Sequence, residues 1–108
     1  MLQSELSIAV VIATKDRPHL LRERALASVA EQTRSPDSVI VVDDSRRVLR
    51  ATNREIVGGL RIPGCRVAYL ENARTEGASG SWNTGIAQVL AEAAAADRVF
   101  VAILDDDD

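Results

Sequence analysis

Carboxylates cluster at two places in this 108-residue sequence, and both clusters follow apolar runs of strand length. Asp43 and Asp44 follow "VIVV", and Asp105 through Asp108 follow "VFVAIL". Side chains two residues apart on a strand share a face, so Asp105 and Asp107 are expected to point to the same side. Two such carboxylates suit a hard divalent cation, Mg²⁺ or Mn²⁺, with water and phosphate oxygens as the other ligands. A solvated acidic tail is the alternative interpretation.

Two other polar segments, and the cluster at Asp43 and Asp44, carry residue types found in ligand-binding loops. "TKD", with Thr14 and Asp16, interrupts the first apolar run and lacks the glycines that dinucleotide and P-loop motifs place against phosphate. "GASGSWNTG" has glycines and serines that would let the backbone approach a ligand closely. In "VVDDS", Asp43 and Asp44 are either a helix N-cap followed by a solvent-facing acid, or acceptors for the N–H of a nucleotide base.

These segments lie between alternating strand and helix patterns. Strands are predicted at residues 6–13, 39–45, 66–71 and 98–104. The first of them, "LSIAVVIA", has no polar alternation, which is typical of a parallel strand covered on both faces. Helices are predicted at residues 19–32, 46–60 and 86–96, the first introduced by Asp16 and Pro18 and the second ending at Gly58-Gly59.

Two of the predicted helices have apolar stripes that would face a core. The stripe of the first contains Leu21, Ala25, Leu26 and Val29. The stripe of the third contains Ile86, Val89, Leu90 and Ala93, and "GASGSWNTG" is predicted as a loop that leads into it.

The β-α-β-α-β-α-β order predicts an α/β fold, with a mostly parallel four-stranded sheet, right-handed crossovers and helices on both faces. In such sheets ligands bind beyond the carboxyl ends of the strands. Each polar segment follows one predicted strand, so all four should meet at the same edge. The sequence therefore predicts one site at one edge of the sheet.

Composition limits the classes of partner. The chain is 46% hydrophobic and 27% charged, as in a single globular domain, and 13 basic against 16 acidic residues give a net charge of −3. The last four Asp contribute −4, so the remainder is nearly neutral and no nucleic-acid partner is expected. The lone Cys65 excludes an internal disulfide or a cysteine-cluster metal site. No apolar run has membrane-spanning length and no signal peptide is apparent, so a cytoplasmic location is expected.

Taken together and in order, the four segments resemble the family 2 glycosyltransferases with the GT-A fold. "ATKDRP" is similar to the family's Pro-Thr-Tyr-Asn-Arg segment, and "VVDDSR" to its Val-Asp-Asp-Gly/Ser-Ser. "GASGSWNTG" matches its Gly and Ala-Arg-Asn-x-Gly pattern in Gly77, Asn83 and Gly85. "ILDDDD" is similar to its Leu-Asp-x-Asp-Asp, which contains the DXD motif. The resemblance implies a Rossmann-like GT-A core with strand order 3-2-1-4.

The resemblance also implies a function: an inverting transferase that binds a nucleoside-diphosphate sugar, with uridine as the expected nucleoside, through Mn²⁺ or Mg²⁺. Thr14 would line the base, Asp44 with Asp43 would accept the imide N–H, Asp106 would face the ribose and Asp107 the metal. The nucleotide-binding residues that it implies are Thr14, Asp16, Asp43, Asp44, Gly80, Asn83, Asp105 and Asp106. The implied metal ligands are Asp105 and Asp107.

The sequence departs from the family pattern at several places, which include Ala13 for Pro and Asp16 for Asn, and two of the departures bear on ligand contacts. Ser81-Trp82 replace Ala-Arg, which removes a cation near the phosphates, and Lys15 replaces an aromatic residue near the base. In the family, the catalytic base and the acceptor site lie beyond the DXD motif. The resemblance therefore assigns no catalytic residue here, and it implies that residues 1–108 are the nucleotide-sugar-binding half of a GT-A domain and transfer no sugar alone.

Two other functions remain open at this point. A phosphorelay receiver domain would hold Mg²⁺ at Asp43 and Asp44, with a phosphoacceptor on the "LDDDD" strand two βα units later. That interpretation leaves residues 1–37 unexplained. The other is a nucleotide-binding module without catalysis, since a fold does not fix a function.

Overall fold

Four parallel strands form one sheet in the computed structural model, which describes residues 6–32, 34–92 and 98–108. The strands are β1 (Leu6–Thr14), β2 (Ser38–Asp43), β3 (Arg66–Glu71) and β4 (Arg98–Asp105). Their order is β3-β2-β1-β4, and β1 pairs in parallel with both β2 and β4. The predicted fold class and the strand order that the resemblance implied are both confirmed.

Helical segments connect the strands. The first consists of α1 (Pro18–Leu20), a π-helical stretch (Leu21–Leu26) and α2 (Ala27–Ala30), which follow one another without a break. The others are α3 (Arg47–Gly59), between β2 and β3, and α4 (Ala78–Glu92), after β3. Among the residues that the structure describes, no helix combines the length and the apolarity needed to cross a membrane.

The sheet is covered on both faces, as its uninterrupted apolar strands predict. Successive side chains of a strand point to opposite faces, so β1 contributes to two separate clusters. Val10 and Ile12 pack with Leu21 of the first helical segment and with residues of α3. Val11 packs on the other side with Val89 of α4. This arrangement holds the strand ends in fixed register.

The topology contradicts the receiver-domain interpretation. There the first strand of the domain would be β2, and in the receiver order 2-1-3-4-5 the first strand lies between the second and the third. Those strands would be β3 and β4. In the structure β2 lies between β3 and β1, and β4 pairs with β1 instead.

The start of α4 corrects the sequence prediction. The prediction of a loop for residues 78–85 was wrong, because the helix begins at Ala78. Ser81, Gly85 and Val89 form its buried face at four-residue spacing, whereas Leu90, predicted on that face, is 65% exposed. Ala93 lies outside the described residues. Small residues are typical of loops, but here they let a helix approach the sheet.

Gly85 marks the closest approach of α4 to the sheet. A Cβ at this position would overlap the Cγ1 of Val11 on β1 and lie 3.1 Å from the Cγ2 of Val42 on β2. Both neighbours are buried, β-branched side chains with restricted rotamers, so they have little room to move. Any larger residue at this position must push the helix away from the strands.

Gly85→Ala is therefore expected to lower the free energy of unfolding by about 1–3 kcal/mol, because overpacking outweighs the better helix propensity of alanine. Gly58→Ala is the matched control: it lies in α3 with nothing within 4 Å of the added Cβ and should be neutral or stabilising. Urea unfolding of both variants measures the difference. Equal effects would contradict the close packing of α4.

Candidate functional site

A cleft of about 220 Å³ lies at the carboxyl edge of the sheet, and segments after all four strands contribute to it. Its lining residues are Ala13, Thr14, Lys15, Arg17, Asp44, Gly77, Ala78, Ser81, Asp105 and Asp106. The four polar segments of the sequence thus meet at one place, as their positions after parallel strands predicted. Four of the residues that the resemblance implied line the cleft: Thr14, Asp44, Asp105 and Asp106.

Asp106 lies in the wall of the cleft, fully buried and surrounded by donors from the loop after β1. Its carboxylate accepts hydrogen bonds from the Oγ1 of Thr14 at 3.1 Å and from the main-chain N of Lys15 at 3.4 Å. The guanidinium of Arg17 approaches it with two nitrogens, Nε at 3.2 Å and Nη2 at 2.5 Å. This forked ion pair ties the end of β4 to the loop after β1.

Asp43 is also fully buried, but it lies outside the cleft lining and holds the scaffold together. Its Oδ1 accepts from the main-chain N of Ser45 at 2.9 Å. Its Oδ2 accepts from the hydroxyl of Tyr69 at 2.6 Å and from the Nδ2 of Asn53 at 3.1 Å. Burial, and then the hydrogen bond to Asp43, raises the pKa of Tyr69. Asp43 thereby connects β2 with α3 and β3.

Asp44 faces the cleft and fixes the loop after β3. Its Oδ2 accepts from the main-chain N of Gly77 at 2.7 Å, and its Oδ1 accepts from the Nδ2 of Asn72 at 3.2 Å. Its own main-chain N donates to the carbonyl of Thr14 at 2.9 Å. Gly77 has a φ of 105°, a conformation that side chains rarely adopt. The loop and the carboxylate therefore position one another.

Asp16 lies beside the cleft and bonds to the segment before α3. The helix that Asp16 and Pro18 were predicted to introduce does begin at Pro18, but its N-cap is Arg17 and Asp16 makes no capping bond to it. The Oδ1 of Asp16 accepts from the main-chain N of Arg46 at 2.7 Å, and this bond is the main cause of a lowered Asp16 pKa. Its own main-chain N donates to the Oγ of Ser45 at 2.7 Å. A φ of 57° turns Asp16 toward these partners.

Besides Asp16 and Asp43, three further residues that the resemblance implied lie outside the lining of the cleft. Gly80 is buried in α4 against the loop, where an added Cβ would overlap the carbonyl oxygen of Thr75. Asn83 is exposed on α4, and Asp107 is exposed in the turn after β4. Gly80 therefore sets the approach of α4 to the loop, while the side chains of Asn83 and Asp107 face solvent.

The carboxylates after β4 have the chemistry of a site for a hard divalent cation. Burial, and then repulsion from Asp106, Asp107 and Asp108, raises the pKa of Asp105 above its ordinary value of 3.8. A bound cation would relieve that repulsion. No cluster of three or more His, Cys, Asp or Glu suited to a metal occurs within the described ranges. Mg²⁺ sites for nucleotides commonly use one or two carboxylates with phosphate oxygens. The two carboxylates expected to share one side are divided here, because Asp107 lies in the turn beyond β4 and faces solvent, whereas Asp105 lines the cleft.

Some residues that shape the site were missed from the sequence. Arg17 is part of the quoted "ATKDRP" segment, and a basic side chain among acids was the available signal. Asn53 is a polar residue within the face of α3 that also carries the buried Val57. The interruption of that face was its signal. Tyr69 carried none, because its partner Asp43 lies 26 residues away on the neighbouring strand.

Removing the buried charge at Asp43 should destabilise the fold. Asp43→Asn places an amide among three donors, and we expect it to lower the free energy of unfolding by about 2–4 kcal/mol. Tyr69→Phe removes one donor and leaves the carboxylate two others, so about 1 kcal/mol is expected. The exposed Asp107→Asn should stay within about 0.5 kcal/mol. Urea unfolding measures all three, and equal effects at Asp43 and Asp107 would disprove the scaffold role.

The raised pKa of Asp105 predicts a pH dependence. The folded state disfavours the ionised carboxylate, so its ionisation costs stability as the pH rises from 3.8 through the raised value. Asp105→Asn does not titrate, and its stability relative to the original chain should therefore increase with pH. Unfolding in EDTA between about pH 3.5 and about pH 7 measures this difference. A difference that is constant or falls with pH would contradict the repulsion.

Comparison with known proteins places this cleft in a family. The model described as Glycosyl transferase family 2 matches residues 9–108, a range that contains every residue of the cleft. No curated protein and no solved structure matches the chain at a significant level. The parallel sheet in the order β3-β2-β1-β4, with helices on both faces, agrees with the Rossmann-like GT-A core. The chain belongs to glycosyltransferase family 2.

Proposed function

We propose that the cleft binds a nucleoside-diphosphate sugar, with uridine as the nucleoside, for transfer of the sugar to an acceptor hydroxyl. Family membership supports glycosyl transfer in general. The observation that carries the donor assignment is the meeting of acidic and basic side chains in one cleft. Asp44, Asp105 and Asp106 line it together with Lys15 and Arg17. A diphosphate with its bound cation carries both negative and positive charge, so it is complementary to a cleft lined by acidic and basic side chains.

Basic residues at the same edge of the sheet also favour an anionic ligand. The segments after β1, β2 and β3 carry exposed basic side chains at Lys15, Arg17, Arg46, Arg47 and Arg74. Their potential would raise the local concentration of a nucleotide even though the whole chain has a net charge of −3. Acidic residues also lie at this edge, at Asp16, Asp44, Glu71 and Glu76. Four successive acids follow at the end of β4, where a cation would bind.

Asp44 is suited to read a base. Each carboxylate oxygen offers about two acceptor positions, and each oxygen of Asp44 is bonded to one protein donor. One further N–H, such as the imide of uracil, can therefore be accepted. Guanine also presents an N–H, beside an amino group, so the choice of uracil would depend on how the carboxylate is oriented. The fixed orientation of Asp44 by Gly77 and Asn72 would make this contact selective.

Asp105 and Asp107 would hold Mn²⁺ or Mg²⁺ in this proposal. The cation supplies electrostatic stabilisation of the charge that develops on the leaving diphosphate. Asp105 reaches the cleft in the present structure, and Asp107 stands in the turn beside it. Thr14 would line the base, and Asp106 would face the ribose.

The test is a calorimetric titration of UDP and GDP into the chain with Mn²⁺, repeated in EDTA. UDP with Mn²⁺ should bind more tightly than GDP with Mn²⁺ or UDP in EDTA. Asp107→Asn and Asp44→Asn should each weaken UDP binding about tenfold, which corresponds to about 1.4 kcal/mol. Glu55→Gln removes one exposed acid from α3 and serves as the control. A UDP affinity that is the same with Mn²⁺ and in EDTA, and that neither substitution lowers, would refute the proposal.

A further inference from the structure

The wall that α4 contributes to the cleft carries no basic side chain. The family pattern places an arginine where this chain has Trp82, and the neighbouring Ser81 is buried in the cleft wall. The indole of Trp82 packs into the core, and its Nε1 donates to the carbonyl of Leu104 at 3.3 Å. The basic residues lining the cleft are Lys15 and Arg17, both from the loop after β1.

Arg17 has the geometry of a phosphate-binding residue that is already engaged. Its planar guanidinium approaches both carboxylate oxygens of Asp106, and phosphate can accept the same forked pair of hydrogen bonds. Nε and Nη2 donate to Asp106, and a guanidinium carries five N–H groups in total. The side chain is 44% exposed, whereas that of Asp106 is 1% exposed. Arg17 therefore lies at the boundary between a buried carboxylate and the open cleft.

We propose that Arg17 is the diphosphate-binding cation of this cleft, and that it exchanges Asp106 for phosphate when the donor binds. This inference rests on the proposed function. The exchange keeps a forked, charge-assisted contact on Arg17 throughout. Asp106 retains its bonds from Thr14 and Lys15 and becomes available to a ribose hydroxyl or a cation. Arg17, in the loop after β1, thereby supplies the positive charge that the family pattern places on α4.

The exchange has an energetic condition. Asp106 is buried, and a buried carboxylate that loses its ion-pair partner is strongly disfavoured. A cation at the neighbouring acids would offset this loss. Asp106 should therefore compete with phosphate for the guanidinium of Arg17 when no metal is present. Bound Mn²⁺ should weaken this competition. This competition distinguishes a phosphate-binding Arg17 from one that only positions Asp106.

The experiment compares UDP with uridine, which lacks the phosphates, in EDTA and with Mn²⁺, by chemical-shift titration. Arg17→Gln should weaken UDP binding about tenfold and leave uridine binding unchanged. Asp106→Asn releases Arg17 and should strengthen UDP binding in EDTA several-fold relative to uridine, which shares any ribose contact of Asp106. The double variant should lose that gain. Arg24→Gln, exposed in the first helical segment, is the control for a loss of charge.

Each result decides between the two proposals. If UDP fails to bind the original chain with or without Mn²⁺, the proposed function fails. If UDP binds but Arg17→Gln leaves it unchanged, or if the gain of Asp106→Asn survives in the double variant, Arg17 does not bind phosphate. A parallel loss in both single variants would assign Arg17 to positioning alone. If Arg17→Gln unfolds, Arg17→Lys takes its place, and it should retain part of the UDP affinity because it keeps the charge without the fork.

Discussion

Buried carboxylates at the ends of two strands constrain this end of the molecule. Asp43 ends β2 and Asp106 follows β4, and both are fully buried. A charge removed from water must be met by donors or be neutralised. Asp43 draws its donors from α3 and β3, and Asp106 draws them from the loop after β1. The loop after β1, which lines the cleft, is therefore held by the contacts that make the burial of Asp106 tolerable, while those of Asp43 hold β2, α3 and β3 together.

Because of this constraint, the two acids of an adjacent pair have different roles. Neighbouring residues at a strand end point in different directions, so a pair of acids places one carboxylate inside and the other toward the cleft. Asp43 is buried in the scaffold, while Asp44 lines the cleft. After β4 both acids line the cleft, but Asp106 is fully buried and bound to the loop after β1, while Asp105 is disfavoured as an anion. Paired acids after a strand thus combine a structural member with one suited to a ligand.

The local sequence determined the strands and their meeting at one edge, because apolar period and strand length are local properties. The strand at residues 66–71 agrees with the structure at both ends. Contacts between distant segments were beyond such patterns. Gly85 is typical of a loop in the sequence alone. In the structure it lies in α4 against Val11 of β1, where there is no space for a Cβ. Asp16 stands before a predicted helix, yet its side chain bonds to Arg46, 30 residues later. Exposure of Asn83 and Asp107 likewise depends on how α4 and the last turn pack.

The opposite charges already paired in the cleft have a consequence for binding. The ion pair between Arg17 and Asp106 keeps both side chains oriented before a ligand binds. Binding would therefore cost less side-chain conformational entropy. The ion pair also makes each partner a competitor for the other's ligand. A cation that engages the acids loosens the hold on Arg17, and an anion that engages Arg17 exposes the acids to a cation. Because such coupling is reciprocal, each would strengthen the binding of the other by the same factor. A cleft of this kind favours a ligand that brings both charges at once over either ion alone.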